Sequence, residues 1–187
     1  MAMALAVRRF TVDEFRRMAE AGILHEDDRL ELLDGQIVEM SPINPPHAAC
    51  VNRLTHMFAP LLASRRATLS IQNHLVLSPH QAPQPDAAVV RYRADGYQTA
   101  HPGPADTFLV IEVADTSVAS DRERKVPLYA RAGIPEAWLV NLPADALEIY
   151  REPRAGTYTD VRTARPGDTV SPLAFPNLVL RVDDILG

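Results

Sequence analysis

Asp86 and Glu112 stand at the ends of two apolar runs, a placement in which carboxylates can do chemistry. Asp86 follows Pro85 and opens the run Ala87 to Val90, while Glu112 closes the run Phe108 to Ile111. Unbroken apolar runs of this length belong to strands of a sheet covered on both faces, and strand ends in an α/β sheet are where sites gather. Two carboxylates meeting there repel unless a proton or a cation lies between them. A hard cation, Mg²⁺ or Mn²⁺, meets that need, since its ligands are oxygens and the chain lacks the clustered Cys or paired His of a zinc site.

Two further residues join the candidates. Lys125 is the only lysine among the 19 basic residues, the rest being Arg. In a chain where charge alone is met by Arg, a retained lysine marks a position that needs a compact ammonium rather than a wide planar fork. Glu31 lies beside Asp34-Gly35, the favoured two-residue turn of a β-hairpin, and should pair across from Val38 on a face shared with Leu33 and Gln36. Each residue also has a plainer reading: Asp86 a strand-start acid, Glu112 a buried partner of some Arg, Glu31 a solvated hairpin residue, Lys125 a surface cation. His47 and His74 read as structural or exposed rather than as ligands, and Cys50 as a small packed residue rather than a nucleophile.

The elements that must position these residues follow from pattern. A helix over 11–21 is capped by Thr11, carries Asp13 and Glu14 in its first turn and ends at Gly22, and it should pack on the sheet edge. The hairpin spans 30–40. After a proline-rich connection, Val51, Leu54, Phe58, Leu61 and Leu62 recur at helical spacing over 46–65. Strands are expected at 68–78, 86–92 and 107–113, with a proline-broken loop at 79–85. Ser117 and Ser120 are alternative caps for a helix reaching Arg131, where Pro127 should cause a kink or a late start. Strands at 137–142 and 146–151, turned at 143–145, are followed by shorter ones at 158–162 and 178–182. This order suggests a mixed α/β sheet with flanking helices rather than a doubly wound one.

With 187 residues, 47% of them apolar, the chain has material for one core and reads as a single domain over 1–187. No stretch has the roughly 18 apolar residues of a membrane helix, and 1–10 lacks a signal-peptide layout, so a cytoplasmic protein is expected. A net charge of -5 disfavours a general nucleic-acid-coating role. It leaves room for a nuclease, because a bound metal ion supplies positive charge that the sequence count omits.

The motifs, taken in order, resemble the Uma-two (Uma2) family of restriction endonucleases within the PD-(D/E)XK nuclease superfamily. They are Leu30-Glu31-Leu32-Leu33-Asp34-Gly35 with Met40-Ser41-Pro42, Pro85-Asp86, Ile111-Glu112-Val113, Lys125 with Tyr129, Gly133-Ile134-Pro135-Glu136, Trp138-Leu139-Val140, and Val182-Asp183-Asp184-Ile185-Leu186. The resemblance implies a restriction-endonuclease-like core and metal-dependent cleavage of DNA phosphodiester bonds. It places Asp86 at the PD aspartate, Glu112 at the next acidic position and Glu31 at the hairpin glutamate. The superfamily pattern puts Lys two residues after Glu112, where this chain has Ala114, so the lysine role would pass to Lys125.

On this expectation Asp86, Glu112 and Glu31 are metal ligands, the Val113 carbonyl a further one, and Lys125 orients water or steadies charge on the phosphate. Arg91, Arg93, Arg122 and Arg124 are candidates for backbone phosphates. Duplex cleavage would favour a homodimer. Two rival readings share the residues. One is a binding or scaffold protein that keeps the nuclease fold without turnover, favoured by the acidic charge and Ala114. The other is a metal-assisted hydrolase acting on something other than DNA.

Overall fold

The computed structural model describes residues 7–187, so the signal-peptide reading at residues 1–6 lies outside the described residues. Helix α1 (Val12–Glu20) starts at Thr11, whose hydroxyl accepts the Glu14 N–H while the Glu14 carboxylate accepts the Thr11 N–H, a reciprocal cap. It buries no residue and rests on the irregular segment near residue 79, through Val12 N–H to Pro79 O and Phe15 against His74, rather than on the sheet edge. Strands β1 (Leu30–Leu33) and β2 (Gln36–Glu39) form the expected hairpin, with Glu31 opposite Val38. Asp34 and Gly35 both have positive φ, 50° and 72°, the turn whose twist matches paired strands. A side chain at Gly35 would also meet Arg9 Cβ at 2.6 Å.

Helix α2 (Pro45–Ala63) follows Asn44, whose side chain accepts the His47 N–H. Its buried face, Cys50, Val51, Leu54, Phe58 and Leu61, covers one side of the central sheet. That sheet holds β3 (Ala67–Ile71), β4 (Ala87–Arg91), β5 (Thr107–Ala114), β6 (Glu136–Asn141), β7 (Ala146–Arg154) and β8 (Thr157–Ala164) in that spatial order. Only β5 and β6 run parallel; every other neighbouring pair is antiparallel. The mixed α/β sheet expected from the order of elements is therefore present.

Three elements depart from the sequence reading. The strand expected over 68–78 ends at Ile71, because Gln72 turns left-handed with φ 48° after its N–H bonds the Asp86 carbonyl. Residues beyond it are held by Leu75 N–H to Pro83 O and Leu77 N–H to Gln81 O. The strand expected over 178–182 shrinks to β10 (Leu180–Arg181), paired with β9 (Thr169–Val170), and Val182 opens a closing helix. Val182 and Ile185, three apart, bury one face of that helix in the core.

The expected helix to Arg131 is split into α3 (Val118–Ser120), a π-turn (Asp121–Lys125) and α4 (Val126–Arg131), and Val182–Leu186 is α5. The Val126 N–H reaches back five residues to Asp121 O. Pro127 brings no N–H to the ladder, and the wider turn absorbs what sequence reading expected as a kink. Neither Ser117 nor Ser120 caps the helix through its side chain.

Alternation along the strands separates two cores. Ala87, Leu109, Ile111 and Trp138 face α2 and α5, whereas Ala88, Val110, Ala114 and Leu139 face α4. Glu112, lying between Val110 and Ala114, therefore points to the α4 side. Among the described residues no helix is long and apolar enough to cross a membrane.

Candidate functional site

The register that pairs Ala87 with Ile111 brings Asp86 level with Glu112 when continued by one residue. The Asp86 carboxylate accepts the Val113 N–H at 2.8 Å through Oδ2, which locks it against the end of β5. Both acids are buried. The π-turn and α4 lay a stripe over that strand end. From it Lys125 Nζ donates to Glu112 Oε2 at 3.4 Å, and Tyr129 OH donates to Glu112 Oε1 at 2.5 Å.

Glu31 arrives from the hairpin. Leu32 exchanges backbone hydrogen bonds with Ala82, so the hairpin is stitched to the 79–85 loop, and Glu31 Oε2 accepts the Gln84 N–H at 3.1 Å. The same oxygen lies 3.2 Å from Lys125 Nζ. The structure thus brings together all four residues singled out by sequence: Glu31, Asp86, Glu112 and Lys125. They line one cleft of about 230 Å³, room for several waters at ~30 Å³ each.

Sequence reasoning missed three members. Asp121 is buried, accepts the Ser117 hydroxyl, and places Oδ1 4.0 Å from Lys125 Nζ. Tyr129, which the sequence offers only as a neighbour of Lys125 in a motif, is fully buried on Glu112. Asp121, Lys125 and Tyr129 are four residues apart, and that stripe is the signal that could have found them. His47, expected from sequence to be structural or exposed, lines the cleft with its Nε2 2.9 Å from Asp86 Oδ1. The Pro45-Pro46 helix start placed it in a first turn, but nothing local said what the turn would face.

The electrostatics follow from four carboxylates around one ammonium. Burial pushes Glu112 well above the usual carboxylate range even though the Lys125 charge opposes it, and burial likewise raises Asp121. Burial would lower Lys125, but the charges of Glu112, Glu31, Asp121 and Asp86 outweigh it and hold the ammonium protonated. Cys50 is packed in the core as expected, and burial pushes its thiol up to about 11.

Among the described residues no three His, Cys, Asp or Glu side chains already converge as a metal cage. Glu31 and Glu112 are instead turned toward Lys125. The donor set still fits a hard cation: the oxygens are carboxylates, their negative charge exceeds that of the single ammonium, and the buried His47 Nε2 has no hydrogen bond. Of the expected phosphate-binding arginines, Arg124 lines the cleft. Arg91 lies over the Phe108 ring, Arg93 pairs with Asp95, and Arg122 pairs with Glu148.

A mixed sheet flanked by helices, with a buried acidic cleft and a lysine at its strand ends, is a nuclease-like fold. A solved structure supports that class: "a putative nuclease belonging to DUF820" from Anabaena variabilis ATCC 29413 aligns with a TM-score of 0.77 at 17% identity, covering 95% of this chain and 97% of that one. At that identity the likeness shows the fold. The comparison with curated proteins found no match. The family model Uma2, described as "Putative restriction endonuclease", matches residues 12–183, and the chain belongs to that family.

Proposed function

We propose that this chain is a metal-dependent endonuclease that hydrolyses DNA phosphodiester bonds in the cleft around Asp86 and Glu112. The observation that carries the reading is convergence: residues from four separate elements meet at one buried strand end, with Lys125 Nζ 3.2 Å from Glu31 and 3.4 Å from Glu112. Buried groups of this kind cost stability unless they are paired, and a site is where that cost is worth carrying. The membership of the Uma2 family supports the same reading.

Asp86 and Glu112 would hold Mg²⁺ or Mn²⁺, with the Val113 carbonyl as a further ligand and Glu31 reaching the same ion or a second one. When bound, such an ion supplies Lewis acidity to the phosphodiester and to water. The chain's own residues do the rest. Lys125, held protonated, steadies negative charge growing on the phosphoryl oxygens or orients the attacking water. Tyr129 fixes the rotamer of Glu112 through its hydroxyl, and Arg124 offers a phosphate contact at the cleft wall. Lys125 reaches the carboxylates from the helix rather than from position 114, so Ala114 does not argue for a scaffold that lacks turnover. Cutting both strands of a duplex takes two such sites or two visits by one, and a homodimer is the assembly we propose, to be read by light scattering.

The test is plasmid cleavage with Mg²⁺ or Mn²⁺, compared with EDTA, by the wild type, Glu112→Ala and Lys125→Ala. Wild type should nick or linearise the plasmid only with metal, and each variant should fall by roughly 100-fold or more. Equal cleavage by all three proteins would overturn the assignment.

A further inference from the structure

Among the described residues, His47 Nε2 is the one buried side-chain nitrogen or oxygen without a hydrogen bond. It nevertheless lies 2.9 Å from Asp86 Oδ1. That distance would suit an ion pair, but the contact lacks the direction of a hydrogen bond. A ring nitrogen and a carboxylate oxygen this close without a hydrogen bond between them are placed to share a cation. Adjacent ligands in an octahedral shell with bonds of ~2.1 Å lie about 3 Å apart, which is the spacing of this pair.

The backbone that carries the imidazole is also held in place. Pro45 and Pro46 set the start of α2, Asn44 accepts the His47 N–H at 3.0 Å, and Asn44 Nδ2 donates to Asp115 Oδ2 at 2.5 Å just past the end of β5. The first turn of α2 is thereby moored to the strand that carries Glu112. Lys125 is engaged with Glu31 and Glu112, which leaves Asp86 facing His47. The backbone position from which His47 faces Asp86 is thereby fixed relative to the end of β5.

We infer that His47 is a nitrogen ligand to the ion held by Asp86 and Glu112, and that it makes this site prefer Mn²⁺ to Mg²⁺. The inference rests on the metal-dependent reading above and deepens it. Mg²⁺ selects oxygen donors and keeps its waters, whereas imidazole nitrogen suits the transition metals. An all-oxygen version of the site would lose that distinction.

The experiment titrates Mn²⁺ and Mg²⁺ into wild type, His47→Gln and Glu112→Ala by calorimetry, with pulsed paramagnetic resonance on the Mn²⁺ complexes. Wild type should show nitrogen coupling to Mn²⁺ that changes isotope pattern when histidine is ¹⁵N-labelled. His47→Gln should lose that coupling, and its preference for Mn²⁺ over Mg²⁺ should fall at least about tenfold, the loss that even outer-shell changes can cause. If wild type binds Mn²⁺ and Glu112→Ala does not, yet the histidine coupling is absent or His47→Gln keeps the full preference, the ligand role is overturned while the metal site stands. If wild type binds no Mn²⁺, the metal-dependent reading and this inference fall together. Should His47→Gln not fold, the labelled wild-type spectrum alone decides.

Discussion

Glu112 shows how much a single buried acid depends on its neighbours. It follows four apolar residues on β5, and its two oxygens are met by the Tyr129 hydroxyl at 2.5 Å and the Lys125 ammonium at 3.4 Å. Tyr129→Phe removes the first partner without changing the packing volume. Stability in urea should fall by about 1–3 kcal/mol, the range for a buried hydrogen bond to an ionisable group, and the cleavage rate should fall with it. A midpoint equal to wild type would mean that the hydroxyl is not holding Glu112. At this scale the sequence was informative about residue type. It showed that Glu112 was too deep for an unpaired acid and that Lys125 was the one lysine retained, but the identity of the partners had to come from the fold.

Elements set the angles at which these residues arrive. The hairpin delivers Glu31 because Asp34-Gly35 turns with both φ values positive and because the close approach of Arg9 leaves no room for a Cβ at Gly35. Gly35→Ala therefore carries a left-handed backbone penalty of about 1–3 kcal/mol together with a steric clash, and a urea titration should show at least that loss. The π-turn has a different role. It lies between the crossover from β5 and the helix that begins at Val126, and it supplies Asp121 and Lys125 from one short stretch. Pro127 made a disturbance legible in the sequence. The form it takes, a widened turn whose Val126 N–H reaches Asp121, depends on the helix having to lie over a buried acid at the end of β5.

The whole molecule is tied across the α4 face by a second acidic residue that is not in the cleft. Glu148 on β7 accepts from Arg122, Tyr150 and Asn141, so the π-turn is fastened to the sheet one strand beyond Leu139. Burial pushes its carboxyl up, but those hydrogen bonds and the Arg122 charge more than offset this and hold it at about 2. A carboxyl lowered in the folded state adds stability that is complete above its unfolded value, near 4.5, and is lost as pH falls toward about 2. The urea midpoint of Glu148→Gln should accordingly lie below wild type at neutral pH, and the gap should close between about pH 4.5 and 2. A gap that stays constant through that window would show that the Arg122 pair contributes nothing to stability.

At this largest scale, local chemistry and tertiary structure divide the work cleanly. The amino-acid sequence determined what depends on neighbours along the chain: the Asp34-Gly35 turn, the Thr11 cap, the apolar strands around Asp86 and Glu112, and the mixed order of elements. Tertiary structure decided what depends on segments that meet only after folding. It stopped β3 at Gln72, turned Val182 into the start of a helix, and brought His47 2.9 Å from Asp86. The physical reason is range: backbone dihedrals and side-chain periodicity are local quantities, whereas the charge environment of a buried acid is set by residues on other elements, from Lys125 beside Glu112 on the following turn to Lys125 beside Glu31 from a distant part of the chain.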